Sequence, residues 1–188
     1  MLRMTLAAIL VVVLDLSFLA HTAAAQTASK RAEPPKPATA AMQIQTDLNR
    51  LMRGVLYPAS NVVFSAQTDN PGEVKFVPGR DPSLATDPLE STFGGWQAVE
   101  NAALALTESA NLLLIPGRTC ANGLPVPINN PDWSKYVQDL RDAGMKAYKA
   151  AQSKDQDKMV DAADILSASC ASCHRKWREK PRLADRCK

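Results

Sequence analysis

Four segments carry an apolar period close to that of a helix, and stretches rich in proline and glycine separate them. Together they predict an all-α fold, an antiparallel four-helix bundle. No segment gives a convincing sheet pattern, and no internal repeat is present. A third observation concerns the last helix. It carries a C-x-x-C-H run, Cys170-Ala171-Ser172-Cys173-His174, on its apolar face.

The amino-terminal end reads as a targeting segment. Arg3 supplies a positive start, the run from Leu6 to Leu14 is almost wholly apolar, and Ala23-Ala24-Ala25 offers small residues for cleavage before Gln26. A spanning helix needs about 20 apolar residues free of charge, and Asp15 interrupts this one. Residues 1–25 are therefore expected to be a cleaved signal peptide, with no stable membrane insertion afterwards. Export places the mature chain in the periplasm, an oxidising compartment. Residues 26–40 hold Lys30, Arg31, Pro34, Pro35 and Pro37 and read as a flexible lead-in. Residues 41–188 leave roughly 145 positions for one domain. The formal net charge is +3. Cleavage removes one charge of each sign, so the balance stands and implies no nucleic acid.

The elements follow in order. In residues 40–56, Ile44, Leu48, Leu51, Met52 and Val55 form one stripe. Tyr57-Pro58 ends or kinks this helix. Residues 61–66 read either as a further helical turn or as an extended piece. Residues 68–91 are a loop, with turn signals at Pro71-Gly72, Pro78-Gly79, Asp81-Pro82 and Asp87-Pro88. Within it, residues 73–77 alternate as a short strand would. A loop this long is commonly functional or packed as a flap.

The second helix covers residues 93–114, with Trp96, Val99, Ala103, Leu106, Ala110 and Leu113 inward, and Pro116-Gly117 stops it. Residues 118–130 form another loop. The third helix opens with Asn130 as cap, Pro131 at its first position and Asp132 in its first turn. It runs to about Gln152 with Trp133, Val137, Leu140 and Ala147 inward. The fourth starts at Ser153 or Asp155 and runs to about Lys180, before Pro181. Met159, Ala163, Leu166, Cys170, Cys173 and Trp177 share its inner face.

The C-x-x-C-H run is the attachment pattern for a c-type haem. Two thiols three residues apart can each add across one vinyl group of a porphyrin, and the next imidazole then lies under the iron. A zinc site expects about four ligands, yet the mature chain has no other histidine and only two other cysteines. A thioredoxin-like pair expects a βαβ setting, and this pair sits late in a helix. The expectation is one covalent haem c, held by Cys170 and Cys173, with His174 as the proximal iron ligand.

With a signal peptide, four helices and this motif in the last of them, the chain resembles the class II c-type cytochromes. That family includes cytochrome c′ and its methionine-ligated, low-spin relatives. The matching run is Cys170-Ala171-Ser172-Cys173-His174-Arg175-Lys176-Trp177-Arg178, an aromatic and a basic residue following the motif at the family's offsets. Its late position sets it apart from class I. The resemblance covers residues 43–178. The long loop after the first helix, the loop holding Cys120 and the tail beyond Pro181 depart from the pattern. The resemblance implies a mono-haem carrier of one electron between periplasmic redox proteins, with no enzymatic turnover. It also implies homodimers through the first two helices.

The sixth iron position is read as a methionine, a lysine, another weaker ligand, or empty. His21 is expected to leave with the signal peptide, and with cleavage a second histidine from the same chain is excluded. The mature methionines are Met42, Met52, Met145 and Met159. The resemblance implies Met52, because the methionine-ligated relatives place their ligand on the first helix. Met42 falls about 80° away around that helix. Met52 is equally read as core filler, a common use of methionine. A thioether ligand gives low-spin iron suited to electron transfer. An open position shielded by apolar groups such as Leu48 gives a five-coordinate binder of nitric oxide or carbon monoxide.

Cys120 and Cys187 remain, and an even remainder in an oxidising compartment suggests a disulfide. The competing reading is two free or intermolecular thiols. The tail is basic, with Arg175, Lys176, Arg178, Lys180, Arg182, Arg186 and Lys188 against Glu179 and Asp185. Such charges suit a solvated helix C-terminus. They also suit a haem edge, where they would pair with propionates or steer an acidic redox partner. Trp177 reads as a haem contact or as plain core. No Ser/His/Asp set, paired carboxylates or phosphate loop is evident.

Overall fold

The first helix does not begin where its apolar stripe begins. In the structure, a computed structural model, residues 42–74 and 79–187 are described, and residues 42–47 are not helical. The expected signal peptide and lead-in lie outside the described residues. Asp47 starts helix α1 by accepting a hydrogen bond from the Arg50 N–H at 2.8 Å, so a side-chain cap overrides the stripe. Helix α1 then runs as an α-helix over Leu48–Leu51, a π-helical turn over Met52–Leu56, and an α-helix over Tyr57–Ser65.

Tyr57-Pro58 neither ends nor breaks α1, contrary to the sequence expectation. The Tyr57 N–H donates to the Met52 carbonyl, five residues back. A proline ring clashes with the carbonyl four residues before it, and here the wider π turn over Gly54 absorbs Pro58. The extra residue also shifts the phase of the helix. Val55, expected inward, is 37% exposed, and Leu56 is buried in its place. Residues 61–65 continue as helix.

Helix α2 spans Trp96–Ser109 and tightens into a 3-10 stretch over Ala110–Leu114. It starts after Gly95 (φ 59°), and Phe93, expected inside the helix, lies before it and is exposed. Val99, Ala103, Leu106, Ala110 and Leu113 are buried as the stripe predicts, and Trp96 is half-buried. Helix α3 spans Pro131–Ser153, and the Asn130 side chain accepts from the Asp132 N–H at 2.9 Å. Lys154 closes it in the left-handed conformation. Helix α4 spans Gln156–Trp177, capped by Asp155. It ends three residues earlier than expected.

The described protein is all-α, with four helices and no strand among the described residues. The expected strand at 73–77 falls partly outside them, and Glu73 and Val74 form none. In the loop before α2, Asp81 and Asp87 each cap a short 3-10 turn, Pro82–Leu84 and Pro88–Glu90. Leu89 anchors this loop in the core. No described helix is long and apolar enough to cross a membrane.

Helix α2 packs on α1 and on α3, and α3 packs on α4. Gly144 sets how close α2 and α3 come, since a Cβ there would lie 2.4 Å from Thr107 Oγ1. Polar ties fix the ends. Gln67 Nε2 donates to Asp164 at 3.0 Å and Gln156 Nε2 donates to the Ala66 carbonyl, joining the end of α1 to the first half of α4. Lys176 pairs with Asp132 at 2.8 Å, joining the end of α4 to the start of α3. The buried Arg118 donates to the Thr46 carbonyl at 2.7 Å, and the Leu48 N–H donates to the Thr119 carbonyl at 2.9 Å. The loop after α2 therefore braces the start of α1.

Candidate cofactor cavity

A cavity of about 1000 Å³ opens among the four helices and is lined by residues from all of them and from the tail. That is the upper end of the range for small-molecule and cofactor sites. The α1 wall presents Leu48, Met52, Leu56 and Phe64, whose i, i+4, i+8 spacing survives in part because the π turn lets Met52 and Leu56 face one side. Leu106 and Leu113 come from α2 and its 3-10 extension, and Trp133, Val137 and Leu140 from α3. The floor is thus apolar, and the aromatic Trp133 is fixed by its Nε1 donating to the Leu113 carbonyl at 3.0 Å.

Cys170, Cys173, His174 and Trp177 line the α4 wall. Residues three, four and seven apart lie on one helix face, so the sequence period alone puts them together. All but Trp177 are half-buried. The two thiols and the imidazole do not converge as a ligand cluster, since no three His, Cys, Asp or Glu side chains gather to hold a metal ion among the described residues. Burial pushes the Cys170 thiol up, and burial with the neighbouring Cys170 pushes Cys173 up to about 11. A reactive dithiol requires the opposite shift. A thioether at either sulfur carries no charge and meets no such penalty. Burial, and secondarily Arg178, lowers the His174 pKa, favouring the neutral imidazole that can act as a ligand.

The structure also separates the four methionines of residues 26–188. Met42 is 72% exposed, Met159 is fully buried in the core, and Met145 is half-buried off the cavity. Met52, half-buried, is the methionine on the cavity wall. No family model, characterised protein or solved structure matches this chain.

Cys120 and Cys187 stand at disulfide distance, with Cα atoms 5.0 Å apart. Cys120 is 1% exposed. This pair does more than close a loop, because Arg186 and Cys187 themselves line the cavity. Nothing in a helical period flags a tail residue ten positions beyond Trp177 as a wall of the site. The only signal was the pairing itself, which returns the tail to the helix ends. Trp177 packs edge-on against Trp133, ring centroids 5.8 Å apart, and Lys180 sits 5.0 Å from its ring centre. Its buried Nε1 has no hydrogen-bond partner among the described residues. Arg53, Arg178 and Arg186 also line the cavity, against one acid, Glu179.

Proposed function

We propose that the protein is a periplasmic mono-haem c-type cytochrome of class II type that carries one electron between redox proteins. The carrying observation is the cavity: an apolar space among four helices with two thiols and an imidazole on one wall and a thioether on another. The ties between helix ends support an antiparallel four-helix bundle around it. The residues fit a covalently attached haem c. Volume and apolar lining suit a flat macrocycle, and the two sulfurs sit three residues apart on the wall.

Cys170 and Cys173 anchor the group through thioethers, and the His174 imidazole is the proximal iron ligand. Bound there, the haem iron supplies a reversible one-electron couple. Met52, on the cavity wall, would supply its thioether to the iron. Leu48, Leu56 and Phe64 exclude water, lowering the local dielectric and so tuning the potential. Arg53 and Arg178 give the lining a positive character that suits an acidic partner. No substrate is turned over.

A second reading rests on Leu48, which is buried and lines the same wall as Met52. If Leu48 rather than Met52 covers the iron, the protein is a five-coordinate binder of nitric oxide or carbon monoxide. The deciding experiment is expression with intact haem maturation, followed by mass and absorption spectra. A mass of the mature chain plus one haem is expected, with a reduced spectrum that carbon monoxide leaves unmoved. A strong carbon monoxide shift selects the second reading. A colourless protein of bare mass defeats both.

A further inference from the structure

Arg186 is the most tightly placed cation on the cavity wall. Its N–H donates to the Leu183 carbonyl at 3.2 Å, and its own carbonyl accepts from Asn122 Nδ2 at 2.8 Å. Its Nε donates to the Lys180 carbonyl. The next residue, Cys187, is held by Cys120 and donates its N–H to the Trp177 carbonyl at 2.9 Å. The backbone and the base of the guanidinium are therefore fixed from several sides. The two terminal nitrogens of Arg186 have no partner among the described residues.

Its neighbours do not satisfy them. Glu179, the one acid on the cavity wall, pairs with Arg178 at 2.7 Å. Asp185 pairs with Arg182 at 2.8 Å. Arg53 on α1 is exposed and makes no ion pair among the described residues, so it is charged but unplaced. A guanidinium with fixed direction and free terminal N–H groups is preorganised for a carboxylate, which it meets with two parallel hydrogen bonds. A porphyrin joined through its vinyl groups keeps two propionate carboxylates unmodified, and these need cations or water once the ring is buried.

We infer that Arg186 is a carboxylate clamp for the tetrapyrrole, and that the Cys120–Cys187 tether exists to hold that clamp at the cavity wall. The inference rests on the haem reading above. It gives the tail beyond Pro181 a positioning role, and it gives the disulfide a task in the site besides stability.

The test uses the mature holoprotein with Arg186→Gln, Arg186→Lys and the double variant Cys120→Ser with Cys187→Ser. Both cysteines are replaced so that no free thiol is left on the cavity wall. The readouts are the propionate-bending band in the resonance Raman spectrum, the reduction potential and the covalent haem content. Haem content is expected to stay at one per chain throughout. Arg186→Gln should shift the propionate band and lower the potential, because a cation that favours the reduced iron is lost. Arg186→Lys should fall between Gln and wild type, and the double cysteine variant should resemble Arg186→Gln. A propionate band and potential equal to wild type in Arg186→Gln, or in the double cysteine variant, overturn the inference while leaving the cytochrome intact. A wild-type protein without haem defeats the reading beneath it instead, and is seen before any variant is made.

Discussion

In the proposed haem site, Met52 is the residue that would decide what the iron can bind. It is the methionine on the cavity wall, and its helix places it there through a π turn. Met52→Ala is expected to convert a carbon monoxide-insensitive protein into one whose reduced spectrum shifts with the gas, and to lower the potential. Titrating the reduced variant with carbon monoxide checks this, and an unmoved spectrum would remove Met52 from the iron. A second residue acts on packing alone. Gly144 lies where a Cβ would meet Thr107 Oγ1 at 2.4 Å and the Ala103 carbonyl at 3.2 Å. Gly144→Leu should cost about 1–3 kcal/mol, the usual penalty for overpacking, read from denaturant unfolding. A neutral result would mean that α2 and α3 separate freely.

Among the elements, α1 departs furthest from a regular helix. Its π turn keeps the chain helical past Pro58, buries Leu56 and turns Val55 outward. Such single π turns inside helices are frequent at functional sites, and this one holds Met52. Gly54 lies within it and has open space where a Cβ would go. If glycine's freedom is not needed there, Gly54→Ala should stabilise the protein by about 0.5–1 kcal/mol, by removing backbone entropy from the unfolded chain. A loss of stability, seen as a lower Tm, would show that the π turn depends on glycine. In α4 the start and the apolar face matched the sequence reading, because Asp155, Met159, Ala163 and Leu166 follow an undisturbed 3.6-residue period, while the helix ends at Trp177 and not near Lys180.

For the whole molecule, two effects are testable. The pair Cys120–Cys187 spans a separation of 67 residues. In the chain-entropy account a loop of that length contributes about 4 kcal/mol. Replacing both cysteines by serine should lower unfolding stability by roughly that amount, and an unchanged midpoint would show that the bridge does not form. The charge of the cavity lining predicts the second effect. Electron exchange with an acidic partner protein should slow as salt rises, since screening weakens steering. Rates flat across ionic strength would argue against a docking role for Arg53 and Arg178.

The all-α class, the cap of α3, the start of α4 and the shared face of Cys170, Cys173 and Trp177 could be read from the chain directly. Each depends only on neighbours within one or two helical turns, where spacing fixes direction. The passage of α1 through Pro58, the burial of Leu56 in place of Val55 and the recruitment of Arg186 and Cys187 to the cavity could not. The first two turn on which hydrogen-bonding register wins when a proline meets a packed helix. The last depends on contacts between segments far apart in the chain, which no local period records. The amino-acid order by itself determined that two thiols and an imidazole stand together in the last helix. Only the tertiary structure decided which methionine and which arginines line one cavity with them, because those positions follow from how four helices and a tethered tail fill the same space.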